Sequence, residues 1–330
     1  MSAQVQIEGT ARKMTQNIMS VRQTTIMRDT VLKGIGVHSG SPVTLLLSPS
    51  DPDTGISFVI TKNGVPVTEI KATSDAVKNV TLCTIIGDEN GAIAATVEHL
   101  ISAIRGLGID NISIEMESGE VPIMDGSAVP FVDILLESGI EEQSVPRRYI
   151  KVLKTIRVEE DGAYAELRPH NGFHIDVTID FESELIGKQQ IAMEVTPENF
   201  AVDLARARTF GFMKDVEQLW AAGRALGASL ENTIALGDGK ILNPEGLRYA
   251  DEFVRHKAMD AIGDLALAGA PLLASYRSVC GGHSLNFKAV QTLLADTDAW
   301  TYVEAPRRRQ YAHAEMGAGL VAANFAAIKN

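Results

Sequence analysis

From Gln23 onward apolar and polar positions alternate in short runs, the period-two pattern of half-buried strands. Thr25–Met27 and Val43–Leu47 flank a glycine-rich turn, Gly34-Ile-Gly-Val-His-Ser-Gly40, and Ile56–Ile60 follows the turn residues Pro52–Gly55. The period then lengthens to that of a helix. Thr96–Arg105 reads as one, closed by Gly106 and Gly108, with Thr96 as N-cap or first-turn residue. Ile112–Met116 alternates as a strand, and Val129–Glu137 reads as a second helix ending at Gly139.

After Pro146-Arg147-Arg148 the same order of elements restarts. Tyr149–Val158 and Ala163–Leu167 read as paired strands around Asp161-Gly162, and His174–Phe181 as another. Phe200–Leu204 begins a polar, Arg-rich passage. A helix is expected from Asp251 to Leu267, then a strand at Leu272–Tyr276 and a last helix at Leu285–Leu294. The repeated order predicts an α+β fold of two similar domains arising by internal duplication, each a sheet packed on helices, with the active site between them. The expected division is an extension at 1–20, a first domain at 21–146, a second at 147–304 and a tail at 305–330. Ordinary alternation in an α+β protein is the plainer reading of the same pattern.

Composition narrows the function classes. Hydrophobic residues make up 45% and charged residues 22% of the 330 positions, an ordinary globular balance. The formal net charge of −12 argues against nucleic acid as a partner, since holding phosphates requires clustered Lys and Arg. Cys83 and Cys280 are the only cysteines, so no disulfide framework and no Cys-rich zinc module is expected. The longest apolar stretch, Leu265–Ala274, is well short of the ~18 residues that suggest a membrane span. A cytoplasmic protein without stable membrane insertion is expected.

Four segments carry candidate chemistry. Glu98-His99 opens the first helix, where an imidazole can ligate a metal and the neighbouring carboxylate can take a proton. A histidine so placed serves equally well as a cap. His256, Asp260 and Asp264 are spaced i, i+4, i+8 and share one helical stripe, a common two-ligand platform for a metal. The bland alternative is a solvated acidic face paired with Arg255 or Lys257. Gly281-Gly282-His283-Ser284 holds a histidine in a turn above a helix start, and Ala205-Arg-Ala-Arg-Thr-Phe-Gly-Phe212 offers a hydroxyl beside aromatic rings.

Taken together, Thr96-Val-Glu-His-Leu100, Val121-Pro-Ile-Met-Asp-Gly-Ser127, Ala207-Arg-Thr-Phe-Gly-Phe212, Arg255-His-Lys-Ala-Met-Asp260 with Gly263-Asp264, and Gly282-His-Ser-Leu-Asn286 resemble the UDP-3-O-acyl-N-acetylglucosamine deacetylase family. The resemblance runs from Thr24 to Trp300. It implies a zinc ion, with ferrous iron as an alternative, on His99, His256 and Asp260. It implies Glu98 as general base, His283 as general acid with Asp264 as its partner, and Thr209 as an oxyanion donor. Lys257, Phe210 and Phe181 match contacts to the diphosphate, the sugar and the uracil. Asp215 falls near the sugar subsite, and Val216–Ser229 matches the passage for the acyl chain. The implied substrate is an acylated UDP-N-acetylglucosamine, the implied reaction the deacetylation that commits it to lipid A synthesis, and the implied state a monomer. One departure stands out. Where relatives carry Lys or Arg three residues before the acid histidine, this chain has Cys280, with Arg277 as the neighbouring cation.

Two rival functions keep parts of this pattern. A zinc peptidase would be expected to show H-E-x-x-H, which the sequence lacks. A nucleotide-sugar binding protein would need Lys257 and the aromatic residues but not Glu98 and His283 together.

Overall fold

The computed structural model describes residues 21–117 and 119–305, with the backbone alone at 326–327. The expected extension at 1–20 and nearly all of the tail lie outside the described residues. The fold is α+β, and one strand topology is used twice. In the first half five strands lie in the order Thr30–Ile35, Pro42–Pro49, Ile112–Glu117, Ile56–Lys62, Val65–Lys71. Only the contact between Ile112–Glu117 and Ile56–Lys62 is parallel. In the second half the order is Ile156–Glu160, Ala163–Pro169, Leu272–Val279, Phe173–Asp180, Lys188–Glu194, again with one parallel contact, between Leu272–Val279 and Phe173–Asp180. Each half is closed by its own antiparallel end pair, Arg22–Ile26 with Ile140–Pro146 and Arg148–Val152 with Trp300–Glu304. Such agreement of order and direction is what a duplication leaves when sequence identity has faded.

The helices repeat as well. Helix α1 (Glu98–Gly106) and helix α2 (Val129–Ser138) belong to the first half. Helix α3 (Met213–Ala221) lies in an insertion of the second half, which continues with helix α4 (Glu252–Leu265) and helix α5 (His283–Ala295). In chain order α4 corresponds to α1 and α5 to α2. The halves differ in what precedes the first helix. The first half inserts small strands at Val77–Asn79, Ile85–Gly87 and Ile93–Ala95. The second inserts a longer passage with a π-helical turn at Phe200–Leu204, strands at Phe210–Phe212, Ile234–Gly237 and Lys240–Ile241, and α3.

Helices α1 and α4 pack on each other at the centre, and nearly all their side chains are buried. A helix buried on most of its faces belongs to a core between layers rather than to a surface. The approach is close enough that a Cβ on Gly263 would lie 2.2 Å from the Glu98 carbonyl oxygen, so only glycine fits there. Ser102 Oγ donates to the Met259 carbonyl at 2.7 Å and fixes the register of the pair.

Helix ends differ from the sequence expectation by at most two residues, and one of the differences is instructive. Thr96 is not a cap. It sits at φ +56° with its hydroxyl donating to Glu120 at 3.0 Å, and the helix starts two residues later. His256 lies one turn inside α4.

Candidate functional site

Because the start of α1 packs against the middle and end of α4, His99 from the first half meets His256 and Asp260 from the second. One donor atom from each lies within 4.8 Å of the others, and all three residues are buried. Asp260 Oδ1 is 3.4 Å from His99 Nε2 and 3.3 Å from His256 Nε2. The two rings stand nearly perpendicular, 5.0 Å apart. The other Asp260 oxygen accepts from Lys257 Nζ at 3.1 Å.

The donor set fits a divalent cation on three grounds. Asp260 Oδ1 is buried without a hydrogen-bond partner among the described residues, as is Nδ1 of His99. A buried carboxylate oxygen left in this way is costly unless something positive is placed against it. The Nδ1–H of His256 donates to the Ala207 carbonyl at 3.0 Å, which leaves its Nε2 lone pair facing the cluster. Burial pushes His256 down to about 3. Burial opposes the charge on Asp260, but His256 and Lys257 outweigh it and hold the carboxyl well below its usual range. Neutral imidazole and ionised carboxylate are the forms that bind a metal.

Two titratable groups border the cluster. Glu98 is buried and accepts the backbone N–H of Thr84 on Oε2 at 3.0 Å. Burial raises its pKa, with His283 and His99 opposing. Its other oxygen, Oε1, is 3.9 Å from His283 Nε2. His283, at the first position of α5, bonds through Nδ1 to Asp264 at 2.7 Å. Burial works against its charge, but Asp264 and then Glu98 outweigh that and hold it up at about 9. Both groups are thus shifted upward, which favours the neutral form of the carboxyl and the charged form of the imidazole beside it.

Asp264 is the hub of a buried polar network that sequence reading did not assemble. Thr84 Oγ1 donates to its Oδ1 at 2.6 Å and Asn286 Nδ2 to its Oδ2 at 2.8 Å, while Tyr276 donates to Asn286. Each bond aims the carboxylate at His283. Asn286 ends the Gly282–Asn286 motif and Thr84 follows Cys83, so both were visible as residues. Their convergence was not, because they are 202 positions apart in the chain.

Thr209 stands just beyond the Ala207 carbonyl that holds His256. Its backbone is pinned between Gly126 and Ile234, and its hydroxyl has no partner among the described residues. Phe210 lies 6.3 Å from the His256 ring, with Phe181 5.7 Å from Phe210, and Lys257 Nζ is 5.6 Å from the Phe210 ring. Asp215 is exposed in the first turn of α3 and makes no hydrogen bond or ion pair with the cluster. Arg277 faces Asp176 at 3.5 Å, and Cys280 is exposed. Burial raises the Cys83 thiol to about 12, with Glu98 adding to it, so Cys83 stays neutral beside the cluster.

Glu120 is a further residue that sequence reading missed. It accepts from the backbone amides of His38 and Ser39, both at 2.9 Å, and from the Ser39 and Thr96 hydroxyls. The turn held in this way bonds in turn to Leu226 and Gly227 of the second half's insertion.

A sequence model of the UDP-3-O-acyl N-acetylglycosamine deacetylase family matches residues 23–295. The chain is 47% identical over 285 residues to the UDP-3-O-acyl-N-acetylglucosamine deacetylase of Histophilus somni, spanning 86% of this chain and 93% of that one. To the protein of the same name from Brucella ovis it is 48% identical over 294 residues, 87% of this chain and 100% of the relative.

Proposed function

Because the chain belongs to the UDP-3-O-acyl N-acetylglycosamine deacetylase family, we propose that it hydrolyses the N-acetyl group of UDP-3-O-(3-hydroxyacyl)-N-acetylglucosamine. The products are acetate and the free 2-amino sugar, the step that commits the nucleotide sugar to lipid A. The observation that carries this reading is the buried triad with its orphaned carboxylate oxygen, flanked by a carboxyl and an imidazole that are both shifted upward.

In this reading His99, His256 and Asp260 hold a zinc or ferrous ion. Such an ion supplies Lewis acidity, which lets water act as a nucleophile near neutral pH. Glu98, made more basic by burial, takes the proton from the attacking water, and the Thr84 amide on Oε2 keeps Oε1 turned toward His283. As the carbonyl carbon becomes tetrahedral, the Thr209 hydroxyl donates to its oxygen. His283 then delivers the Nε2 proton to the sugar nitrogen as the C–N bond breaks, while Asp264 keeps Nδ1 occupied. Lys257 and the Phe181–Phe210 pair take the diphosphate, sugar and base, with Asp215 at the edge of the sugar subsite. The exposed side chains of Trp220 and Leu226 offer apolar surface to the acyl chain.

The test is acetate release from an acylated UDP-N-acetylglucosamine, measured alongside metal content before and after chelation. Loss on chelation and recovery on adding metal is the expected result. Full activity in metal-free protein, or release from unrelated amides only, overturns it.

A further inference from the structure

A cavity of about 580 Å3 opens between the two halves at the far ends of the helices that carry the triad. It is walled by Arg105 and Gly106 at the end of α1, by Ile262 and Leu265 at the end of α4, and by residues of both sheets. None of the triad, Glu98 or His283 lines it. Its volume falls in the range of roughly 300–1,000 Å3 typical of sites for small organic ligands. Leu107, Leu136, Phe173, Val195 and Leu272 make the walls apolar.

The polar end of the cavity is unbalanced. Asp110 accepts from Arg147 Nε at 2.8 Å and from the Thr24 amide at 2.9 Å, so its Oδ2 is fully engaged. Arg105 is only 9% exposed at its side chain, and its Nη1 stands 3.6 Å from Asp110 Oδ1. Its remaining contacts are long ones to the Ile109 and Gly269 carbonyls, at 3.3 and 3.4 Å. Arg105 Nε is buried with no partner among the described residues. Two guanidinium groups therefore share one carboxylate inside an apolar chamber, and the other charged residue of the lining, Glu198, is exposed. A cation so poorly compensated is costly to bury, and a bound anion offsets that cost.

We propose that this cavity is a second ligand site, separate from the catalytic one, for an amphipathic anion whose head pairs with Arg105 and whose hydrocarbon body lies along the apolar walls. Carboxylate and phosphate heads share the fork-shaped pairing that a guanidinium favours. The site is independent of the deacetylase reading, since it shares no residue with the triad or with Glu98 and His283.

Three diazirine-bearing probes test it on the full chain: dodecanoate, dodecyl phosphate and uncharged dodecanol, with cross-links mapped by mass spectrometry. One or both anions are expected to label peptides containing 106–110 or 195–198, and the alcohol roughly tenfold less, as loss of a charge-assisted pair predicts. Leu136→Trp, which fills the chamber, should abolish that label while metal content and labelling near Phe210 persist. Arg105→Met, which keeps the side-chain bulk, should bring the anions down to the level of the alcohol. Labelling confined to the Phe210–Ser229 region, or equal labelling by the alcohol, overturns the proposal. So does cavity labelling that survives both substitutions in proteins that melt as the unaltered chain does.

Discussion

Asp260 has one oxygen held by Lys257 and the other turned, without a hydrogen bond, between two imidazoles. Removing His256 or Asp260 should therefore abolish metal binding, read as metal per chain in His256→Ala and Asp260→Ala protein. At the acid–base pair the sign of the pH dependence follows from direction. His283 titrates near 9 against an ordinary 6.5, so its ion pair with Asp264 contributes fully below about 6.5 and is lost as pH rises through about 9. Its acid form is lost over the same interval. Deacetylation should fall along that alkaline limb, and Asp264→Asn should move the limb to lower pH. A limb that stays in place in this variant would remove Asp264 from its role. Glu98→Ala and His283→Ala should each lower turnover by ~10²–10⁴, and Thr209→Val by ~10²–10³. At this scale the residue types and their helical spacing were legible in the sequence. Which carboxylate oxygen is orphaned, and which way each pKa moves, were not. Those depend on burial and on Glu98, Asp264 and His283 converging from different elements.

Among elements, the contact of α1 with α4 decides the geometry of the site. Gly263 permits it, and Gly263→Ala would drive a methyl into the Glu98 carbonyl. The expected cost is about 1–3 kcal/mol in denaturant unfolding, with a loss of activity larger than the loss of stability, because the displaced backbone carries Glu98. The strap 205–212 is anchored at the start of α4 by a buried ion pair, Arg208 Nε to Glu252 Oε1 at 2.9 Å. Arg208→Ala leaves Glu252 buried without its cation and should cost about 3–5 kcal/mol by the same measurement. The periodicity of α1 and α4 was readable, since apolar and ligand positions follow the 3.6-residue repeat. The cap at Thr96 was misread because its hydroxyl is drawn away by Glu120, a partner 24 positions on. Local cap chemistry lost to a tertiary hydrogen bond.

Over the whole molecule, a metal on the proposed ligands His99, His256 and Asp260 would tie one half of a duplicated fold to the other. Binding to the folded state alone adds about 4 kcal/mol at a thousandfold excess over Kd. Chelation should consequently lower the melting temperature of the whole chain in one transition, and metal should restore it. A melting temperature indifferent to chelation would argue that the triad holds no metal. Among the described residues no helix is long and apolar enough to cross a membrane. Met213, Trp220, Leu226 and Leu230 of the 213–230 region are exposed.

Helices α1, α2, α4 and α5, the stripe of His256, Asp260 and Asp264, and the identity of the candidate ligands were legible in the sequence alone, because helical periodicity and short-range motifs are properties of neighbouring positions. Helix α3, the strands Val65–Lys71 and Lys188–Glu194, and the break between Arg148–Val152 and Ile156–Glu160 were not. That the halves share one strand order, that α1 and α4 meet at Gly263, and that Thr84, Glu120, Tyr276 and Asn286 support the site was decided only by the tertiary structure. The same holds for the cavity behind Arg105. Each of these rests on contacts between residues far apart in the chain, and such contacts exist only once the two halves are packed against each other.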